Sequence, residues 1–157
     1  MMYIYFVSEI QLIHTNSAHA AFQRLSSELE RELFLRDGEL AGVNHELNRI
    51  DFLEAVVLAL VNDAAVACGG FRKYNNESIE LKRMYVVPSF RRRNLASRIL
   101  VELEAMASSK GYHSCILETG MNQPEAIMFY RKHGYSQTEK FGIYRKSSNS
   151  VCFSKTI

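Results

Sequence analysis

The sequence changes period at Pro88, and that change restricts what the chain can become. Upstream of it lie three strand-like segments in close succession. Leu53 to Val61 is rich in Val and Leu and is apolar on both faces, as a strand inside a sheet would be. Asn62-Asp63 is a two-residue hairpin turn signal, and Ala64 to Tyr74 is the return strand. Asn75-Asn76 marks another turn. Ser78 to Val87 is the third strand, stopped by Pro88. From Asn94 the spacing is helical: Leu95, Ile99, Leu100, Leu103 and Met106 form one stripe that ends at Lys110-Gly111.

The flanking segments complete an element order. Tyr3 to Val7, aromatic and β-branched, predicts a first strand. Ala18 to Arg36 predicts a helix, because Phe22, Leu25, Leu29 and Leu33 recur at spacings of three or four among charged residues. Asn16 or Ser17 can cap its start and Asp37-Gly38 ends it. Glu39 to Arg49 is polar and weakly patterned, a loop with room for a short second helix. His113 to Glu118 is a short strand. Gln123 to Lys132 is a helix with Pro124 in its first turn and Gly134 just past its end. Tyr135 to Tyr144 and Ser150 to Lys155 are the last two strands. The order β-α-α-β-β-β-α-β-α-β-β predicts a mixed α/β fold: a mostly antiparallel sheet flanked by helices. With 157 residues and no Pro-, Gly- or Ser-rich linker, a single domain is expected.

Composition removes several function classes. Nineteen Lys and Arg face seventeen Asp and Glu, a net charge of +2, too balanced for a general nucleic-acid or membrane-surface binder. The longest apolar runs, Met1 to Val7 and Ala55 to Val61, fall far short of the ~20 residues that span a bilayer. The N-terminus lacks the early Lys or Arg and the cleavage site of a signal peptide. Cys68, Cys115 and Cys152 are odd in number and widely separated, so a disulfide framework is not expected and a reducing cytoplasm is. His14, His19, His45, His113 and His133 show no metal-ligand spacing, and no metal is expected.

The most informative stretch is MYVVPSFRRRNLAS, Met84 to Ser97, where a strand, a basic turn and a helix start follow one another. A helix N-terminus presents unpaired N–H groups and the positive end of its dipole, so it suits an anion. Arg91, Arg92 and Arg93 add charge, and a phosphate or pyrophosphate is the expected ligand group. An Arg run alone is more often a solvated turn. Lys82, Arg83 and Arg91 to Arg93 place five positive charges within twelve residues of a nearly neutral chain.

Here a resemblance enters. Arg91-x-x-Asn94-x-Ala96, just after Pro88, resembles the acyl-coenzyme A loop of the GNAT superfamily of N-acetyltransferases: Arg or Gln, two residues, Gly, one residue, Gly or Ala. LETGMNQPEAIMFYRKHGY, Leu117 to Tyr135, resembles the family's second half, and residues 53 to 157 follow the family in order and spacing. One departure is Asn94, which stands where the family usually has Gly; Asn is among the next best residues at positive φ. The resemblance implies that the backbone N–H groups of Arg92, Arg93, Asn94, Leu95, Ala96 and Ser97 hold the pyrophosphate of acetyl-coenzyme A. It also implies that Met84, Tyr85 and Val86 pair with the pantetheine arm through their backbone. Gln123 stands where many members have an Asn that contacts the cofactor arm; otherwise it is a solvated helix-start residue.

Acetyl transfer to an amine needs a base for the amine, a donor for the oxyanion and an acid for the leaving thiolate. By resemblance Tyr130, in FYRKHGY, is the acid; without the motif it is a packed helix Tyr. Glu80 and Glu118 compete for the base, with Glu80 the first choice. The competing roles are a salt bridge on the sheet for Glu80, beside Lys82, and for Glu118 a carboxylate that fixes the nearby loop.

The implied function is transfer of an acetyl group from acetyl-coenzyme A directly to a primary amine. The second candidate is a non-catalytic acyl-coenzyme A binding or sensing module on the same fold, motivated by Asn94. The third, a nucleic-acid binder using the Arg run, is opposed by the near-neutral charge. The expected partner is a small-molecule or peptide amine acceptor, with neither nucleic acid nor membrane, and a homodimer is left open. Asp37, Glu39 and Glu46 are carboxylates that could attract a cationic amine.

Overall fold

The computed structural model describes residues 9–38 and 53–157. The strand expected over Tyr3 to Val7 begins and ends outside that range, as do the polar stretch Glu39 to Arg49 and Glu46. The described elements are β1 (Ile10–Thr15), α1 (Ala20–Asp37), β2 (Ala55–Val61), β3 (Ala64–Lys73), β4 (Ser78–Val86), α2 (Leu95–Ser109), β5 (Ser114–Gly120), α3 (Pro124–Lys132), β6 (Ser136–Thr138) and β7 (Ser150–Thr156). They form one seven-stranded sheet in the order β1-β2-β3-β4-β5-β7-β6. Every neighbouring pair is antiparallel except β4 and β5, which run parallel. This is the mixed, mostly antiparallel α/β fold that the element order predicts.

Local chemistry explains the joints. Asn62 and Asp63 both take positive φ, 49° and 64°, as a primed hairpin turn between right-twisted strands requires. The cap of α1 is His19 rather than Asn16 or Ser17: His19 Nδ1 accepts from the Ala21 N–H at 3.2 Å. Asn16 instead stabilises the approach, accepting from the Ala18 N–H at 2.9 Å.

Two apolar layers cover the sheet. Ile99, Leu100 and Leu103 of α2 pack with Val57, Phe71, Ile79, Leu81 and Tyr130. Phe22 and Leu25 of α1 pack on the other face, with Val56, Leu58, Cys68 and Tyr85. Cys68 and Cys115 are fully buried, and burial pushes both thiols up to about 12, so they are inert packing groups.

A bulge in β4 sets the site. Tyr85 pairs with Cys68 and Lys82 with Gly70, so Arg83 and Met84 together oppose the single residue Gly69. Arg83 takes φ 60° to make this possible. The extra residue swaps the faces: Ile79 and Leu81 belong to the α2 layer, and beyond the bulge so do Met84 and Val86. Gly70 allows close approach of β2, since a Cβ there would stand 2.7 Å from the Ala55 carbonyl oxygen. Gly70→Ala should therefore destabilise the fold by about 1–3 kcal/mol, read as a lower urea midpoint with unchanged slope.

The strand expected over Tyr135 to Tyr144 is shorter. Only Ser136–Thr138 joins the sheet, and Gly142–Lys146 forms a 3-10 turn. Gly142, at φ 51°, redirects the chain so that Tyr144 drops against the sheet, 1% exposed.

Candidate active site

The parallel pair β4 and β5 is joined only from Ser78 to Glu80, opposite Ser114 to Ile116. Beyond that the strands part, because β4 stays with β3 and β5 stays with β7. A cavity of about 780 Å³ occupies the gap. Leu81 to Met84 of β4 and Glu118 to Gly120 of β5 line it, α1 covers it from one face, and Ala126 and Tyr130 of α3 close it from the other. Ligands favour such a divergence at the carboxyl ends of parallel strands.

The basic loop leads into α2. Pro88–Phe90 forms a 3-10 turn, Arg92 and Asn94 take φ 62° and 59°, and α2 begins at Leu95. Asn94 thus adopts the left-handed backbone that a glycine would supply. The first helical bond runs from the Arg98 N–H to the Asn94 carbonyl at 3.0 Å. That leaves the N–H groups of Leu95, Ala96 and Ser97 in the orphan first turn, free for a phosphate. Arg92 and Arg93 are exposed, Arg93 lying over the Phe90 ring at 5.0 Å. Arg91 is committed to structure. Its Nε donates to the Val86 carbonyl at 2.9 Å and its Nη2 to Glu32 of α1 at 2.7 Å. The Ser97 side chain is also engaged. His133 Nδ1–H donates to the Phe129 carbonyl at 2.8 Å, and Nε2 shares a hydrogen bond of 2.9 Å with the Ser97 hydroxyl.

The cavity brings together Tyr130, Glu118, Gln123, Met84 and Asp37, all singled out by sequence, and Lys82 and Arg83 of the basic cluster also line it. Tyr130 is 7% exposed and is packed edge-on against Phe129 and Tyr135, at 5.2 and 5.6 Å between ring centres. Burial, with the Glu118 charge, pushes its hydroxyl well above the ordinary phenol range. Among the described residues no hydrogen bond engages that hydroxyl. Glu118 accepts from the Ser150 hydroxyl at 2.7 Å. Burial raises its carboxyl above the ordinary range, against the pull of Ser150 and Lys82. The Gln123 amide nitrogen lies 3.1 Å from where a Cβ on Gly120 would stand, so Gly120 leaves room for it. Tyr85 and Val86 lie outside the cavity lining, Tyr85 buried in the α1 layer.

Glu80 also lies outside that lining. It is fully buried, and both its oxygens are occupied. Arg72 reaches Oε2 at 2.7 and 2.8 Å, while Lys82 at 3.1 Å and the Tyr144 hydroxyl at 2.9 Å reach Oε1. Lys82 also donates to the Tyr144 oxygen at 2.5 Å, and burial lowers its pKa. The sequence reading missed Tyr144, which ties this network together, along with Ser150 and Asn149. No local pattern marks Tyr144 or Ser150, because their carboxylate partners lie 64 and 32 positions away.

The sequence pattern of the acetyltransferase (GNAT) family matches residues 17–135. A relative from Azospirillum brasilense, named IAA acetyltransferase, is 30% identical over 141 residues, covering 87% of this chain and 91% of the relative. A crystal structure from Klebsiella pneumoniae, assigned as an acyl-CoA N-acyltransferase, superposes with a TM-score of 0.79 at 25% identity, covering 94% and 97% of the two chains. A GNAT family acetyltransferase from Elizabethkingia anophelis, solved with acetyl-CoA bound, shares the fold at TM-score 0.67 and 16% identity, covering 94% and 98%. The chain belongs to the acetyltransferase (GNAT) family.

Proposed function

We propose that the protein is an acetyl-coenzyme A-dependent N-acetyltransferase that moves the acetyl group directly to a primary amine. The observation that carries this reading is the convergence of Tyr130 and Glu118 on one cavity at the parting of β4 and β5. The residues present fit the co-substrate. The orphan N–H groups of Leu95, Ala96 and Ser97, preceded by left-handed Asn94, would hold its pyrophosphate, with Arg92 and Arg93 adding charge. The free edge of β4 and the Gln123 amide would hold the arm. When bound, acetyl-coenzyme A supplies an activated acetyl thioester.

The chain's own residues then handle protons. Glu118 takes a proton from the acceptor's ammonium group; its raised carboxyl narrows the gap to an amine near 10. Tyr130 gives its hydroxyl proton to the departing sulfur. Glu80, committed to Arg72, Lys82 and Tyr144, is assigned a structural role. The left-handed Asn94 removes the observation that had favoured a non-catalytic module.

Release of free thiol from acetyl-coenzyme A across a broad amine panel tests the function. Turnover of any amine at a useful rate supports it, and tight cofactor binding without turnover defeats it. Glu118→Gln tests the base. Activity of the parent should fall on the acid side, as the carboxylate protonates, with an apparent pKa above the ordinary Glu range. The variant should lose about 10²-fold or more in kcat/KM and show no such limb. Its melting temperature at pH 7 should be equal or higher. Burial raises the folded pKa, so the ionised carboxylate costs stability above that pKa, and glutamine removes the cost.

A further inference from the structure

The charge pattern of the cavity identifies the kind of amine it takes. Its two buried cations already face carboxylates: Lys82 lies 3.1 Å from Glu80, and Arg83 lies 2.7 Å from Glu30. Glu118 and Asp37 are different. Glu118 accepts from the neutral Ser150 hydroxyl at 2.7 Å, and Asp37 from the neutral Asn122 amide at 3.1 Å. Neither makes an ion pair among the described residues. The two groups adjoin one another at the end of β5. Glu118 and Gly120 face the same side of that strand, and Asp37 Oδ2 lies 3.6 Å from where a Cβ on Gly120 would stand. The Asp37 charge contributes to the raised carboxyl of Glu118.

The remaining walls are mainly apolar. Leu29, Leu33 and Phe34 come from α1, and Leu81 and Met84 from β4. Phe34 stays 59% exposed, an aromatic surface at the cavity with no ring partner among the described residues. Arg31 is a lining cation too, but it is exposed and stands about 120° around α1 from Asp37.

We infer that the acceptor is a monoamine with an apolar substituent and no carboxylate, bound as its ammonium ion between Asp37 and Glu118. This rests on the acetyltransferase reading above. An ammonium offers three donors and a positive charge, which two carboxylates not held in an ion pair among the described residues can share, although Lys82 acts on Glu118 from a distance. An α-carboxylate on the acceptor would stand against those same two charges. A second ammonium would have to enter the apolar wall of Leu29, Leu33 and Phe34. Asp37 is then a specificity-determining residue, and Glu118 both binds the ammonium and takes its proton.

The test compares matched acceptors on the intact protein. Phenethylamine is paired with phenylalanine, which adds a carboxylate, and hexylamine with 1,6-diaminohexane, which adds a second ammonium. Each apolar monoamine should have a kcat/KM at least tenfold above its charged counterpart. Asp37→Asn should raise KM for phenethylamine tenfold or more while KM for acetyl-coenzyme A stays within twofold, and Asp37→Glu should recover part of the loss. Preference for phenylalanine or the diamine, or an unchanged amine KM in Asp37→Asn, overturns the inference and leaves the acetyltransferase reading standing. Failure of every amine, charged or not, to release thiol overturns both. The acceptor comparison needs only the parent protein, so it decides the matter even if the Asp37 variants fold poorly.

Discussion

Glu80→Gln should lower stability by about 3–5 kcal/mol, the usual cost of removing one partner from a buried ion pair. For a chain of this length that is a drop of about 6–20 °C in melting temperature. The carboxylate is fully buried and receives Arg72, Lys82 and the Tyr144 hydroxyl. Glutamine keeps the shape but loses the charge that faces two cations, and its amide NH2 replaces an acceptor where only donors point. Lys82, 8% exposed, then keeps a desolvated charge without its nearest carboxylate. Activity per folded molecule should survive well below the new midpoint, because Glu80 does not line the cavity. Thermal melts followed by thiol-release assays on the folded fraction check both halves. A variant as stable as the parent but inactive would return Glu80 to the role of base.

Tyr130→Phe should do the reverse. The rate should fall by about 10²–10⁴-fold, the range for a positioned general acid, with stability unchanged or slightly raised. The ring's contacts with Phe129, Tyr135 and Phe153 remain in the variant. The hydroxyl that is lost has no hydrogen-bond partner among the described residues, so its removal exposes no orphan. KM for acetyl-coenzyme A should move little. Burial keeps the phenol protonated through the ordinary phenol range, so an alkaline limb in the parent's profile below pH ~10 should persist in the variant's residual activity. A rate within threefold of the parent would remove Tyr130 from the mechanism.

Much of this architecture can be read from local sequence. The strands from Leu53 to Val87 and the helix after Asn94 agree with the structure to within about two residues. Asn-Asp turn chemistry and a strong helical stripe act over short range, so tertiary packing has little to override. β1 at Ile10–Thr15 carries no clear strand signal, because Gln11 and His14 interrupt its apolar pattern. The strand expected over Tyr135 to Tyr144 is too long for a related reason. Tyr144 has strand propensity, but its hydroxyl is claimed by Lys82 and Glu80 more than sixty positions away.

The site divides in the same way. A strand–basic turn–helix signature is local, and its left-handed Asn94 follows from backbone preference. The choice between Glu80 and Glu118 is not local. Both are polar residues in strands with the same alternation, and only the long-range placement of Arg72 and Tyr144 commits one and leaves the other open to the cavity. Asp37 reads in sequence as the end of a helix and as one of three carboxylates that could attract an amine. Its place beside Gly120 depends on how α1 lies across the parted strands.

The ties on α1 carry a thermodynamic consequence. Glu32 receives Arg91 from the loop before α2, and it also meets Arg36, which reaches Glu125 of α3. The helix that walls the cavity is thereby laced to the loop that would receive the nucleotide end of the co-substrate. Whatever rigidity one ligand lends to α1 is a cost the other no longer bears. By linkage the help is mutual and equal, so each would tighten the other's dissociation constant by the same factor. Added salt, which weakens half-exposed ion pairs of this kind, would loosen that partnership before it disturbed either pocket alone.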